Sequence, residues 1–241
     1  MQRLSGFDAT FYYDERPRET QHTLKVSIWS PEASAAYSLE STRRFVRSRL
    51  PDLPPLRWRA VRVPFDLHHP VWVDDPALDL AYHVRRLAVP APADRDALCE
   101  VISELASQPL DPNRPLWELW MLEGYEGNRV VAVLKMSHAL ADGGETRALI
   151  ETLYGEHPLR EVAESPEALA GEPLPSPGRL VLDALADRAR DIAKLRAVAR
   201  ASLGVWRRVR AARKEEGAAP RTSFFDSPPT PLRGRLSARL S

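Results

Sequence analysis

The chain has 241 residues, of which 44% are hydrophobic and 28% charged, and its formal net charge is +1. This composition is typical of a globular protein of one to two domains and excludes a wholly disordered chain. A nearly neutral charge argues against a dedicated nucleic-acid-binding protein, so we expect no nucleic-acid partner. The single cysteine, Cys99, excludes an internal disulfide and favours a reducing compartment.

The first twenty residues, MQRLSGFDATFYYDERPRET, contain acidic side chains and no apolar stretch as long as that of a signal peptide. No window of the chain approaches the roughly 20 apolar residues that span a bilayer. We therefore expect a cytoplasmic protein. Any contact with the inner membrane or with lipid droplets is expected to be peripheral.

The first third of the chain alternates between strand and helix patterns. Leu24, Val26 and Ile28 alternate with polar residues and predict a half-buried strand. The segment SLESTRRFVRSRL predicts a helix with Ser38 as its N-cap, which the prolines of PDLPP terminate. Three segments rich in valine or aromatic residues predict further strands: RWRAVRVPF, PVWVDD and LAYHVRRLAVP.

The middle of the chain predicts a helix, a hairpin and a second helix. Asp94 caps DRDALCEVISELASQPL, where Cys99 is expected to be buried filler rather than a nucleophile. Two apolar runs flank YEGN, which indicates a hairpin. The second run, RVVAVLKM, has too many consecutive apolar residues for a one-sided sheet and predicts a central strand covered on both faces. GETRALIETLY predicts a helix whose Leu149, Ile150 and Leu153 pack back on the sheet.

We divide the chain into four parts: an N-terminal domain over residues 1–164, a linker over 165–178, a basic amphipathic helix over 179–216, and an extended or disordered tail over 217–241. The linker is rich in Pro, Ala, Glu and Gly. The helix contains 11 Lys or Arg against 5 Asp or Glu.

The basic helix leaves two interpretations open. Its C-terminal part carries one tryptophan and five cations: Trp206, Arg207, Arg208, Arg210, Arg213 and Lys214. Such a face can hold a protein against anionic lipid. A solvated helix that packs on its own domain, or on another polypeptide, would show the same pattern.

A histidine follows the predicted central strand in KMSHALADGG, residues Lys135 to Gly144. An imidazole is well suited to accept a proton near neutral pH. Asp142 could hold the ring of His138 in one tautomer, or it could cap the following helix. Taken alone, an H-x-x-x-D spacing is more often structural. A central strand that ends in a glycine-containing loop, however, is where open α/β sheets bind ligands.

The adjacent histidines His68 and His69 precede Asp74 and Asp75, and both residue types can bind metal ions. They lack the usual ligand spacing, so we predict no metal site there.

Four ordered blocks together carry a resemblance to a known family: RLSGFDATFYYDE, HHPVWVDDPALDLAYHVRRLAVPAP, PLDPNRPLWELWMLEG and SHALADGG. The chain resembles the N-terminal half of the bacterial wax ester synthase/diacylglycerol acyltransferase family over roughly residues 3–155. Pro115, Leu116 and Trp117 match the family's P-L-W motif, and residues 137–143 match its H-H-x-x-x-D-G motif.

The resemblance implies an α/β fold similar to chloramphenicol acetyltransferase, with an open mixed sheet flanked by helices. It implies acyl transfer from acyl-coenzyme A, as a substrate and not a resident cofactor, to diacylglycerol or a long-chain alcohol. The products would be triacylglycerol or wax ester. His138 would be the general base, Asp142 would fix the ring and its loop, and Gly143 would leave room for the pantetheine arm.

The P-L-W motif at Pro115, Leu116 and Trp117 is a candidate substrate-binding segment under the same resemblance. It could shape the acyl or cofactor channel, although a tryptophan that enters a sheet is more often part of the core.

Two departures from the family pattern keep alternatives open. Ser137, which the resemblance makes a candidate substrate-binding residue, replaces the first histidine of the motif. This change should alter the surroundings of the base more than the proton transfer itself. Family members also carry a second, similarly folded domain. The chain could therefore work with a complementary C-terminal half, work by self-association, or serve as a catalytically inactive lipid-binding or scaffold protein.

Overall fold

The computed structural model describes residues 1–15, 20–140, 143–154, 171 and 173–215. The chain divides into two compact units, Met1–Leu185 and Ala186–Ser241. The described strands all lie in the first unit. Half of the predicted linker and the whole predicted tail lie outside the described residues.

The larger sheet contains β2 (His22–Ile28), β5 (Val84–Ala88), β6 (Trp117–Gly124) and β7 (Arg129–Ser137), in the order β2-β7-β6-β5. β7 is antiparallel to both of its neighbours, whereas β5 runs parallel to β6. The predicted hairpin is formed by β6 and β7. The predicted mixed α/β class, with flanking helices and a long C-terminal helix, is confirmed.

A smaller antiparallel sheet has the order β1-β4-β3 and consists of β1 (Gln2–Arg3), β4 (Val71–Asp74) and β3 (Trp58–Val61). The backbone N–H of Leu4 donates to the carbonyl of Pro70 at 3.0 Å and continues the pairing of β1. This pairing anchors the N-terminal end of the chain immediately before the first helix, α1 (Gly6–Asp14).

Among the described residues, the first six helices fall between strands and the last two follow β7. Their bounds are α1 (Gly6–Asp14), α2 (Pro31–Ala35), α3 (Leu39–Arg49), α4 (Leu80–His83), α5 (Arg95–Ser107), α6 (Tyr125–Asn128), α7 (Gly143–Tyr154) and α8 (Pro177–Glu215). Ser38 caps α3 in a capping box, and Asp94 caps α5, as the sequence predicts.

β7 is the central strand of the core and is buried on both faces, as its apolar run predicts. Because side chains alternate along a strand, Ala132, Leu134 and Met136 face one hydrophobic cluster, which also contains Leu149 and Leu153 of α7. Val131 and Val133 face a second cluster, whose other members include Leu98, Val101 and Leu105 of α5. The sheet is thus packed between α5 and a layer that includes α7.

The structure differs from the sequence prediction at three places. LAYHVRRLAVP was predicted to be a strand throughout, but Asp79 accepts a hydrogen bond from the N–H of Ala81 and starts the short helix α4 before β5. β2 is an edge strand on which Val26 and Ile28 are 46% and 48% exposed, so it is less buried than predicted. Cys99 is exposed rather than buried, because it lies on the outer side of α5.

A buried ammonium group ties β7 to the C-terminal end of α5. The side chain of Lys135 is only 1% exposed, and its Nζ donates to the carbonyl of Leu105 at 2.9 Å and to that of Gln108. Burial lowers the pKa of Lys135, and the nearby carboxylates of Glu118 and Glu15 oppose that shift. The cation therefore satisfies carbonyls that the end of a helix leaves without intrahelical partners.

We predict that Lys135→Met lowers the free energy of unfolding by about 1–3 kcal/mol, because the carbonyls of Leu105 and Gln108 lose their buried donor. Urea unfolding followed by circular dichroism measures this change. Lys25→Met, at an exposed position of the neighbouring strand β2, is the control and should leave stability nearly unchanged. Equal stability of the two variants would contradict the capping role.

Candidate active site

The pairing of β2 with β7 determines the position of His138. His22 lies opposite Ser137 in this ladder, and the backbone N–H of His138 donates to the carbonyl of Gln21 at 2.9 Å. The strand hydrogen bonding therefore continues one residue beyond β7. This bond fixes the backbone from which the imidazole projects.

The ring of His138 is half-buried and stacks on Phe11 of α1, with 5.2 Å between ring centroids and 29° between ring planes. Within the described part of the chain, its ring nitrogens have no hydrogen-bond partner. Asp142, the predicted orienting carboxylate, lies outside the described residues. Gly143, predicted to leave room for substrate, is the first residue of α7.

Ser137, which replaces the first histidine of the family motif, is buried and forms hydrogen bonds with neighbouring backbone groups. Its N–H donates to the carbonyl of Leu116 at 3.0 Å, and its Oγ accepts a hydrogen bond from the N–H of Ala139 at 3.2 Å. The same Oγ lies 3.4 Å from the carbonyl oxygen of Gln21. The serine thus supports the turn that carries His138.

A cavity of about 370 Å³ lies beside the motif. Its polar lining comes from Tyr12, Tyr13, Glu15, Arg62 and Ser137. The rest of the lining is apolar and consists of Pro109, Leu110, Pro112 and Leu116. Burial raises the pKa of both tyrosines, so their hydroxyl groups stay protonated and can donate near neutral pH.

A second cavity of about 360 Å³ lies beside the residues that follow His138. Ala139 and Leu140 line it, together with Leu149 of α7 and Trp72 of β4. One cavity therefore lies beside Ser137, the residue before His138. The other lies beside Ala139 and Leu140, the residues after it.

The P-L-W motif is buried and stands at the start of β6. Leu116 lines the first cavity and holds Ser137 through its carbonyl, so it contacts the site directly. Trp117 is almost fully buried, and its indole Nε1 donates to the carbonyl of Leu56 at 2.7 Å. Pro115 is also buried. Of the three residues, Leu116 alone lines that cavity.

A second histidine, His83, lies behind the motif and is fully buried. Its ring stacks on Trp117 with 4.5 Å between centroids, and its Nδ1 lies 2.8 Å from the carbonyl oxygen of Trp117. Because a carbonyl only accepts, Nδ1 carries a proton. The Nε2 atom is buried without a partner among the described residues. Burial lowers the pKa of His83 to about 4, so the ring is neutral at neutral pH.

His83 should make stability depend on pH. Between pH 6.5 and about 4 the unfolded chain holds a proton on this histidine and the folded chain does not, so acid favours unfolding. We predict that the free energy of unfolding falls by up to about 1.4 kcal/mol per pH unit as pH decreases through this window.

Urea unfolding of wild type and His83→Leu at several pH values between 4 and 7 measures this slope. The variant should be less stable at pH 7, and its stability should fall less steeply with acid. His69→Gln, at a partly exposed position, should retain the wild-type slope. A slope that His83→Leu leaves unchanged would show that His83 titrates normally.

Four residues near the motif were not predicted as site residues: Phe11, Tyr12, Glu15 and Gln21. Glu15 accepts a hydrogen bond from the N–H of Gln21 at 2.7 Å, and Gln21 holds the backbone of His138. The cluster of aromatic and acidic residues in FDATFYYDE was the available sequence signal. Nothing in its local pattern shows that it packs against a histidine more than one hundred positions later.

Residues 4–239 match the family model described as the wax ester synthase/diacylglycerol acyltransferase catalytic domain. The protein therefore belongs to this family. The described residues contain no group of three or more metal-ligating side chains and no helix long and apolar enough to cross a bilayer.

Curated relatives from Mycobacterium tuberculosis agree with this assignment. A putative diacylglycerol O-acyltransferase is 34% identical over 98% of this chain and 50% of its own length. The probable diacylglycerol O-acyltransferase tgs3 is 37% identical over 84% of this chain and 74% of its own length. The chain thus spans about half the length of the first of these relatives and a larger share of the second.

Among solved structures, the wax ester synthase/diacylglycerol acyltransferase of Marinobacter aquaeolei VT8 superposes with a TM-score of 0.49 and 27% identity, covering 61% of this chain and 37% of that one. The tallysomycin biosynthesis protein TlmII gives a TM-score of 0.48 and 17% identity, covering 64% of this chain and 38% of that one.

Proposed function

We propose that the protein provides the catalytic-base half of an acyl-CoA-dependent O-acyltransferase that esterifies diacylglycerol or a long-chain alcohol. The observation that carries the proposal is a half-buried imidazole just past the end of the central strand, without a ring hydrogen bond to any described residue. The preceding residue, Ser137, lines a largely apolar cavity. Family membership supplies the class of reaction.

In the proposed reaction, His138 takes the proton of the acceptor hydroxyl while the hydroxyl oxygen attacks the thioester carbonyl. The carbon–sulfur bond then breaks, and the coenzyme A thiolate takes the proton back from the imidazolium. One ester and one free thiol are formed, and no acyl-enzyme is needed. A half-buried imidazole suits a base that must first accept and then return a proton.

The cavity beside Ser137 is suited to part of a lipid substrate. Its volume of about 370 Å³ lies at the low end of the range for ligand sites. The apolar residues Leu110 and Leu116 provide contact for a hydrocarbon segment, while Tyr12, Tyr13 and Arg62 provide donors for oxygen atoms.

We predict that His138→Ala lowers coenzyme A release from a long-chain acyl-CoA in the presence of diacylglycerol by about 10²- to 10⁴-fold, the usual contribution of a positioned base. The assay uses the chain alone and with a polypeptide that matches the remaining half of the relatives, since the chain spans about half of one of them. His69→Ala is the control for loss of a histidine away from β7. Turnover that His138→Ala leaves undiminished would remove the proposed base.

A wild-type chain that binds diacylglycerol-containing vesicles but releases no coenzyme A under either condition would favour the inactive lipid-binding alternative. Activity of the chain alone that rises more steeply than its concentration would favour self-association over a separate complementary half.

We further propose that α8 holds the protein at an anionic lipid surface. In the second unit this helix exposes six large apolar side chains by half or more: Ile192, Leu195, Val198, Leu203, Val205 and Trp206. The guanidinium of Arg210 lies over the ring of Trp206, 5.0 Å from its centroid. A tryptophan beside arginines, on a helix with exposed apolar residues and a net positive charge, is typical of interfacial helices.

We predict that Arg200→Glu combined with Arg210→Glu weakens binding to phosphatidylglycerol vesicles by more than tenfold, since each base contributes about 1 kcal/mol near an anionic surface. Vesicle flotation measures the binding, with pure phosphatidylcholine vesicles for comparison. The matched Arg200→Lys and Arg210→Lys variant should bind as the wild type does. Unchanged flotation of the glutamate variant would instead favour a helix that packs on another polypeptide.

A further inference from the structure

We infer that Glu15 is a positioning residue for His138 and acts through the backbone of Gln21. The inference deepens the proposed function, on which it rests for its catalytic consequence. It depends on hydrogen bonds that connect the end of α1 with the first residue beyond β7.

The first link joins the Glu15 carboxylate to the backbone of Gln21. Glu15 follows the last residue of α1, and its Oε2 accepts a hydrogen bond from the N–H of Gln21 at 2.7 Å. Hydrogen bonds to a charged acceptor are shorter and stronger than neutral ones. The carboxylate therefore restrains the peptide group between Thr20 and Gln21, which directly precedes the peptide group that contains the carbonyl of Gln21.

The second link joins the carbonyl of Gln21 to the motif. This oxygen accepts from the backbone N–H of His138 at 2.9 Å and lies 3.4 Å from the Oγ of Ser137. Gln21 precedes the first residue of β2, so this contact is made at the end of the ladder rather than in its middle. A strand end needs a further constraint to hold its last hydrogen bond, and Glu15 supplies one.

The third element is a buried histidine that packs beside Glu15. The side chain of His22 is 1% exposed, and its Nε2 lies 2.9 Å from the carbonyl oxygen of Ala106 at the end of α5. Its Nδ1 lies 3.9 Å from the Oε1 of Glu15, and neither atom has a hydrogen-bond partner among the described residues. The carboxylate is thus confined between a buried ring on one side and the Gln21 amide on the other.

Glu15 and Ser137 both line the cavity beside the motif. A displacement of Glu15 would therefore change the shape of the cavity in which substrate is proposed to bind. A shift of about 1 Å in a reacting group can lower a rate by about 10²-fold. The carboxylate need not touch substrate to have this effect. Its role is to hold the His138 backbone, and hence the imidazole, at a constant distance from the cavity.

Hydrogen exchange of the His138 amide tests the positioning without any need for turnover. In Glu15→Ala this amide, followed by NMR, should exchange about tenfold faster, while the amide of Leu134 in the middle of β7 should keep its wild-type rate. Glu15→Gln should restore protection, because the amide oxygen can still accept from Gln21. Glu15→Asp keeps the charge but is one methylene shorter, so it should lose protection as Glu15→Ala does.

Glu100→Ala, at an exposed position of α5, is the matched control and should leave every rate unchanged. A His138 amide that exchanges equally in wild type, Glu15→Ala and Glu15→Asp would overturn the inference. If Glu15→Ala does not fold, Glu15→Asp decides the question.

Kinetics then tests the consequence for catalysis. Glu15→Ala should lower kcat for coenzyme A release by about tenfold with KM within about twofold, and Glu15→Gln should recover most of that loss. Loss of kcat that Glu15→Gln does not recover would contradict positioning through the hydrogen bond. If the wild-type chain shows no turnover, the proposed function is contradicted. The exchange measurement still tests the positioning role of Glu15, because it does not depend on turnover.

Discussion

The backbone pairing between β2 and β7 is the constraint on which the candidate site depends. β7 is held in the centre of the sheet because both of its faces are covered by apolar side chains, and it can shift along β2 only by moving those side chains out of their clusters. The register therefore fixes Ser137 opposite His22 and leaves His138 as the first residue past the strand. A histidine so placed has a fixed backbone and a side chain that the sheet itself does not cover.

Much of this arrangement can be predicted from the sequence, because it follows from local patterns. The unbroken apolar run of β7 indicates a strand buried on both faces, and the helical spacing of Leu98, Val101 and Leu105 indicates the helix that covers one of them. The caps at Ser38 and Asp94 follow from the preference of short polar side chains for helix starts. The agreement of several ordered motifs also predicts the family, and the family-model match over residues 4–239 confirms that prediction.

The surroundings of His138 could not be predicted in the same way, because they depend on contacts between distant segments. The stacking of Phe11 on the imidazole joins positions 11 and 138. The hydrogen bond from the N–H of His138 to the carbonyl of Gln21 joins positions that are similarly far apart in the sequence. The exposure of Val26 and Ile28 likewise reflects the place of β2 at the edge of the sheet, which alternation alone does not reveal. Burial of Lys135 was hidden within an apolar run, since nothing local indicates that the end of α5 supplies its acceptors.

Our central proposal is that the imidazole of His138 is accessible to the substrates, and chemical modification tests it directly. Diethyl pyrocarbonate acylates accessible neutral imidazoles, and peptide mass spectrometry locates the modified histidines. We predict that His138 reacts and that long-chain acyl-CoA together with diacylglycerol protects it, whereas the buried His83 stays unmodified. A His138 that remains as unreactive as His83, or that reacts at the same rate whether or not the substrates are present, would contradict a role as the base that meets the substrates.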